Sequence, residues 1–528
     1  MTSQSKLAVS YARTGLRAAT GSSSLEPSSA RPGSSLHDLM APLDQLLVSG
    51  GDVRLSIRAD GCNDYGCPPH PSPSLISLSS STATPISTRA YDRVTCARDE
   101  LLQASIMAAV EDSFDARFEA MRGELTQHLD LAGTGVEVIF SASGTDSQLH
   151  ALWLTQLVLG HRLTTIVAAA DQTGSGTAHT ARGHHFSDIT ASGIGVARGA
   201  PIVGLADAVT SVALSSFDVS GRPIPLAALD AALYDAVRDA VVRGDKVLLQ
   251  TMDSSKLGRR IPSHHCMALI AERWPDRVQI VVDACQLRLS RKLLRAYLER
   301  GCMVQITGSK FFTGPPFSGA LLVPARLSGV INRPHGIPPG LLDYAARSDW
   351  PTRWGQLRLQ FPPRANFGQW LRWEAALEEI GGYFSIPEDF RRSALAQLGR
   401  GIARLIEASP SLRLIPVETD RGDDSSIDDE LTQQTIFSFA IERAGHTLSL
   451  DACKDIYRQL KAANCLVGQP VGWTGPDVAS QAALRICVSA RNVIDSWSAE
   501  PSQAEQNVSR EIGRAARVVA TIEALLAG

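Results

Sequence analysis

Lysine is sparse in this sequence, with only seven residues, at positions 6, 246, 256, 292, 310, 454 and 461. Any chemistry that needs an enclosed amine therefore has few places to reside. No apolar run is long enough to span a bilayer, since the stretches 164–170 and 208–214 are short and interrupted, and this excludes a membrane-spanning helix from the reading. No basic excess is present either. The net charge is −3, which argues against nucleic acid as a partner. The nine cysteines are odd in number and scattered, a usage that excludes a disulfide framework and suits reduced thiols in a cytoplasmic protein. Metal spacing is also lacking. Cys62, Cys67 and His70 have no second cysteine–histidine pair to complete a zinc site, and His264, His265 and Cys266 are adjacent residues that would point in different directions from a helix start. What is present is 528 residues, 44% hydrophobic and 20% charged, enough for a large core and at least two domains.

The richest stretch is 278–323. An apolar run over 278–282 ends in Asp283, and a second over 303–306 ends in Thr307-Gly308-Ser309-Lys310. Between them Leu293, Leu294, Tyr297 and Leu298 recur at helical spacing, so the unit reads as a strand–helix–strand crossover. Gly314, Pro315, Pro316 and Gly319 then force a tight turn before a further strand over 320–323. Two strands thus deliver polar groups at their carboxyl ends, where open α/β sheets bind ligands.

A carboxylate and a lysine 27 residues apart, about one crossover repeat, suit pyridoxal phosphate. That cofactor needs a lysine to hold its aldehyde as a Schiff base and an acid opposite its pyridine nitrogen. The competing reading makes Asp283 a helix cap and Lys310 a surface residue in a turn. Lys310, however, is embedded in apolar, glycine-bounded sequence.

Asp283-Ala284-Cys285-Gln286 resembles the DAxQ segment of the class V aminotransferase and cysteine desulfurase family, and Thr307-Gly308-Ser309-Lys310 with Gly314-Pro315 resembles its SGHK…GP. The resemblance implies a type I pyridoxal-phosphate fold: a large domain with a mostly parallel sheet and a smaller C-terminal α/β domain. It casts Lys310 as the Schiff-base lysine, Asp283 as partner of the ring nitrogen, Gln286 as donor to the ring hydroxyl, and Thr307 and Ser309 as phosphate contacts. A homodimer with its active site at the subunit interface is implied as well.

Other segments take their places around this one. Residues 1–35 read as a disordered tail, 36–90 as an N-terminal arm, 91–327 as the large domain, 328–368 as a loop over the active site and interface, and 369–528 as the small domain. A strand over 136–140 followed by Ser143-Gly144-Thr145 and an apolar helix is the expected phosphate cradle, because backbone N–H groups and the helix dipole converge there. The same tripeptide would also serve as a simple cap. By analogy with the family, Ser81 lines the substrate side, Ser254 or Ser255 replaces an asparagine that bonds the ring hydroxyl, and Asn366 is a candidate phosphate contact. The residue stacking on the ring is open between Gln172, His179 and His184. Arg485 resembles the arginine that clamps the substrate α-carboxylate, with Arg491 as competitor.

A desulfurase needs a thiol near that clamp, where this chain has Val467, with Cys465 two residues away. The expected activity on an amino acid is therefore transamination. Carbon–sulfur lyase or desulfurase-like elimination, or decarboxylation, is the alternative, and a non-catalytic protein keeping the fold is the alternative of another class.

Overall fold

The computed structural model describes residues 35–107, 109–416, 430–472 and 481–527; the tail expected over 1–35 lies outside them except for its last residue. The chain is α/β, with one large, mostly parallel sheet and a smaller second sheet built mainly by the C-terminal part. Its strands are β1 (Ile76–Leu78), β2 (Glu137–Ser141), β3 (Leu163–Val167), β4 (Val209–Ala213), β5 (Lys246–Met252), β6 (Val278–Asp283), β7 (Met303–Thr307), β8 (Gly319–Val323), β9 (Leu412–Leu414), β10 (Ile436–Arg443), β11 (His446–Thr447), β12 (Cys465–Gly472) and β13 (Ala482–Cys487).

The large sheet runs β2-β8-β7-β6-β5-β3-β4. β8 alone is antiparallel to its neighbours, β2 and β7, and every other pairing is parallel. Its central strands are continuous β-branched and leucine runs, buried along almost their whole length, as parallel strands covered on both faces must be. The expected crossover is the helix Arg291–Glu299. It buries Leu293, Leu294, Tyr297 and Leu298, and Ser290 caps it by accepting the Leu293 N–H at 2.9 Å. The helix Gly144–Leu159 leaves β2 at one side of the sheet and crosses β8, β7, β6 and β5 on the way to β3. Register then sets the functional edge. Ser141 pairs with Gly319 and Gly319 with Thr307, while Asp283 lies beside Met252 and Gln305, so the carboxyl ends of β2, β5, β6 and β7 emerge together.

The second sheet runs β1-β12-β13-β10-β11, with β9 on β10. β1 comes from the N-terminal arm and pairs in parallel with β12, Ile76 opposite Cys465. Arg372, buried in the helix Phe367–Phe384, ties the arm down. It donates to the carbonyls of Leu47, Ser49 and Gly50 on the arm and of Phe317 on the turn before β8. Gly368 permits that approach, since a Cβ there would stand 2.2 Å from the Ser49 carbonyl oxygen.

Two elements differ from the sequence reading for local reasons. Helical spacing over 37–48 yields two short helices, Leu36–Leu39 and Leu43–Leu47, because Pro42 between them has no N–H to continue the first. The helical pattern over 94–131 divides into Thr88–Met107 and Val110–His128, with Ala109 extended between them. No helix among the described residues is long and apolar enough to cross a membrane.

Candidate active site

A cavity of about 610 Å³ opens at the carboxyl edge of the large sheet and is closed on its far side by the second sheet. Ser81, Ser143, Gly144, Thr145, Ser254, Asp283, Gln286, Thr307, Ser309, Lys310 and Arg485, the residues singled out from sequence, all line it.

On the large-sheet side the polar groups are held mainly by one another. Asp283 ends β6, and its Oδ1 accepts the Cys285 N–H at 3.0 Å. The Thr307 hydroxyl donates to the Cys285 carbonyl at 2.7 Å. Gln286 Nε2 donates to the Ser81 carbonyl at 2.9 Å, and its Oε1 accepts from Arg288 Nε at 3.3 Å. Ser143 caps the helix Gly144–Leu159, accepting the Thr145 and Asp146 N–H groups and donating to Asp146 Oδ2 at 2.5 Å. Ser143 and Thr307 thus spend their hydroxyl protons within the protein. The hydroxyls of Thr145 and Ser309 have no partner among the described residues and remain as donors. Gly144 keeps the cradle open: a Cβ there would meet Cys285 Sγ at 2.7 Å and Thr307 Cγ2 at 3.2 Å. Burial lifts Asp146, behind the cap, to about 7.

Backbone strain gathers at the same edge. Of the seven non-glycine residues with positive φ among those described, Ala169, Leu287, Thr313 and Phe317 lie in its loops. Each such conformation costs about 1–3 kcal/mol and persists only where the surroundings impose it, most often at functional sites.

Lys310, directly after β7, is half-buried and has no hydrogen-bond or ion-pair partner among the described residues. Arg485 is 2% exposed. It donates to Thr82 Oγ1 at 3.1 Å, to the Lys256 carbonyl at 3.3 Å and to the Gln469 carbonyl. Among the described residues it faces no carboxylate and its Nε–H has no acceptor, and burial lowers its pKa. The other candidate, Arg491, is an ion-pair partner of buried Glu379 at 3.1 Å, donates to the carbonyls of Pro85 and Thr313, and does not line the cavity. Six residues of sequence separate a guanidinium bonded only to neutral oxygens from one paired with a carboxylate.

The remaining alternatives resolve as follows. Gln172 lines the cavity, 2% exposed, with neither end of its amide bonded; His179 and His184 do not line it. Ser254 faces the cavity, whereas Ser255 accepts the Leu257 and Arg259 N–H groups and holds the turn. Asn366 is away from the cavity, capping the helix Phe367–Phe384 and donating to the Gly50 carbonyl. No residue of 328–368 lines the cavity. Within that stretch Trp350 stacks on Phe361 at 4.7 Å and packs edge-on against Trp153 at 5.5 Å, so its aromatic residues are spent on a core. Cys465 lies on β12 outside the cavity, and the one cysteine lining it is Cys285, a buried thiol pushed well above its usual pKa by burial and Asp283.

Sequence reasoning missed Arg54 and Lys256. Arg54 reaches the cavity from the arm, bonded to Asp52 and lying over the Phe317 ring at 4.8 Å. Lys256 lies in the turn after β5, and its being one of only seven lysines is the available signal.

No protein-family model and no curated protein matches the chain. Among solved structures it is similar to a mutant of C-DES with glycine covalently linked to the PLP cofactor (13% identity over 83% of this chain and 96% of that one, TM-score 0.49). It is also similar to a NifS-like protein from Rickettsia africae (12% identity, 85% and 99% coverage, TM-score 0.49), and to Oryza sativa TDC with PLP and tryptamine (14% identity, 82% and 83% coverage, TM-score 0.47).

Proposed function

We propose that this chain is a pyridoxal-phosphate-dependent enzyme of the type I fold acting on an amino acid, with transamination as its reaction. The observation that carries the reading is Lys310, three residues past the end of β7 and with no hydrogen-bond or ion-pair partner among the described residues, in one cavity with Asp283 at the end of β6 and a capped helix N-terminus. The residues present fit the group. Gly144 lets the helix N-terminus sit close on Cys285 and Thr307, and the Gln172 amide and Arg485 Nε–H, unbonded among the described residues, are buried polar atoms that a ligand would satisfy.

When bound, the cofactor supplies an electron sink that lets a bond at an amino acid's Cα break. Lys310 would hold its aldehyde, Asp283 would face its ring nitrogen, and Gln286 and Ser254 its ring hydroxyl. Gly144, Thr145 and Ser309 would hold its phosphate at the helix N-terminus. Gln172 is the candidate against the ring face. Arg485 would take the α-carboxylate in two parallel hydrogen bonds, which fixes how Cα presents its hydrogen. Lys310 would also be the base placed to move that proton at Cα. Retaining the carboxylate in this clamp favours proton transfer over decarboxylation, and a thiol as enclosed as Cys285 does not favour desulfuration. We read the protein as a homodimer on the resemblance alone.

The test is the absorbance spectrum of the purified protein before and after borohydride, followed by a screen of amino acids with a keto-acid acceptor. A reducible band at roughly 410–430 nm that is absent in Lys310→Ala, together with keto-acid product, supports the reading. No band with added pyridoxal phosphate contradicts it.

A further inference from the structure

The cavity has more positive charge than the proposed reaction requires. Five basic side chains line it: Arg54, Lys256, Lys310, Lys454 and Arg485. Two are met within the protein, Arg54 by Asp52 at 2.9 Å and Lys454 by Asp451 at 2.9 Å. Lys310 is assigned to the cofactor. Lys256 and Arg485 remain, adjacent to each other, since Arg485 Nη1 donates to the Lys256 carbonyl. Neither ammonium nor guanidinium has an acidic partner among the described residues. The acids of the lining are engaged elsewhere: Asp171 accepts from Ser216 N and Oγ, both at 2.8 Å, Asp64 lies 3.5 Å from Arg58, and Asp283 is the ring-nitrogen partner.

The turn that presents Lys256 is fixed rather than incidental. Ser255 Oγ accepts two backbone N–H groups within it, and Arg259, buried below, donates to the carbonyls of Ser216 and Ile224. Burial, with Arg485 and Lys310 as like-charged neighbours, brings the Lys256 ammonium down to about 8. Asp171 opposes that shift only weakly, and two enclosed cations that no carboxylate contacts among the described residues are costly, a cost relieved when an anion arrives.

We infer that Lys256 forms, beside Arg485, a second anion subsite, so that the amino acid bound here carries an anionic side chain, a carboxylate or a phosphate. This rests on Arg485 taking the α-carboxylate as proposed above. The division of labour follows from chemistry: the planar fork of arginine matches one carboxylate, and the compact ammonium of lysine meets the other anion as a point charge.

The experiment is calorimetric binding at pH 7 of L-aspartate, L-glutamate and O-phospho-L-serine, each against its neutral counterpart L-asparagine, L-glutamine or L-serine. At least one acid should bind about tenfold or more tightly than its neutral partner, the scale of a hydrogen bond to a charged group. Whether the phosphate or a carboxylate arm responds identifies the anion. The ratio should fall to near one in Lys256→Met and return in Lys256→Arg. Equal binding throughout, or a preference that survives in Lys256→Met, overturns the inference. Because calorimetry needs no chromophore, the outcomes separate: preference without a reducible band leaves the anion subsite standing and the proposed chemistry failed, while a band without preference removes the subsite alone.

Discussion

On the wall formed by the large sheet, the Ser143 and Thr307 hydroxyls, Gln286 and Asp283 bond groups of the protein itself. The other wall combines β13 and the arm with the loop after β5: there Lys256 and the Nε–H of Arg485 meet nothing among the described residues, and the Ser81 hydroxyl is unbonded. The first wall is preorganised, with side chains locked before any ligand arrives, as a permanently held group requires. The second is polar and unmet, which suits a molecule that comes and goes. Buried polar groups are seldom left unpaired in folded proteins, so the contrast assigns permanence to one wall and exchange to the other.

The comparison is broken most severely at Lys310, a cation without a partner among the described residues on the preorganised wall. Lys310→Ala should lower turnover by about 10²- to 10⁴-fold, the contribution of a positioned acid–base group, measured as keto-acid formation. Next, Arg485→Lys keeps the charge but loses the fork, and amino-acid binding should weaken by roughly tenfold to a hundredfold, with a smaller loss of stability than Arg491→Met because Arg485 bonds only neutral oxygens. Arg491→Met should do the reverse. It removes the Arg491 bond to buried Glu379, which keeps only Arg89 as ion-pair partner, so stability should fall by about 2–3 kcal/mol in chemical denaturation, with amino-acid affinity retained. If both arginine variants behave alike, the distinction between a guanidinium on neutral oxygens and one on a carboxylate is wrong.

Smaller effects sharpen the contrast. Gly144→Ala fills the cradle and should weaken cofactor affinity by about tenfold, an overpacking cost of about 1–3 kcal/mol. Cys285→Ala in the same chain removes the closest clash, the 2.7 Å approach, and should restore much of that loss. The pH dependence of the exchange wall has a definite sign. With Lys256 near 8 before binding, and Arg485, Lys310 and Asp171 facing it, an anion holds the ammonium protonated. Preference for an acidic over a neutral amino acid should therefore be full below pH 8 and decline as pH rises through it, by at most about one log unit per pH unit. Cys285→Ala alone should alter turnover by less than about twofold; a larger loss would favour thiol chemistry.

The preorganised wall was legible because its information is local. β6, the helix Arg291–Glu299 and β7 follow from runs and periods within about thirty residues, and Asp283 and Lys310 sit where those runs end. The exchange wall depends on contacts remote in sequence. β1 pairs with β12 across nearly four hundred residues, and the arm that brings Arg54 is fixed by Arg372 through backbone carbonyls, to which no sequence pattern points. Lys256 was hidden differently: a lone lysine in a turn has the appearance of a surface residue, and only the approach of Arg485 to its carbonyl reveals the enclosure. Stretch 328–368 is ambiguous in sequence because prolines and tryptophans suit a lid as well as a buried core.

The most direct measurement is peptide mapping of the borohydride-reduced holoenzyme, since three lysines line one cavity, Lys454 paired with Asp451, and the account gives the other two different work. A pyridoxyl group on the peptide containing Lys310, with Lys256 unmodified, is the predicted result. Modification of Lys256 in its place, or no modified lysine, would contradict it.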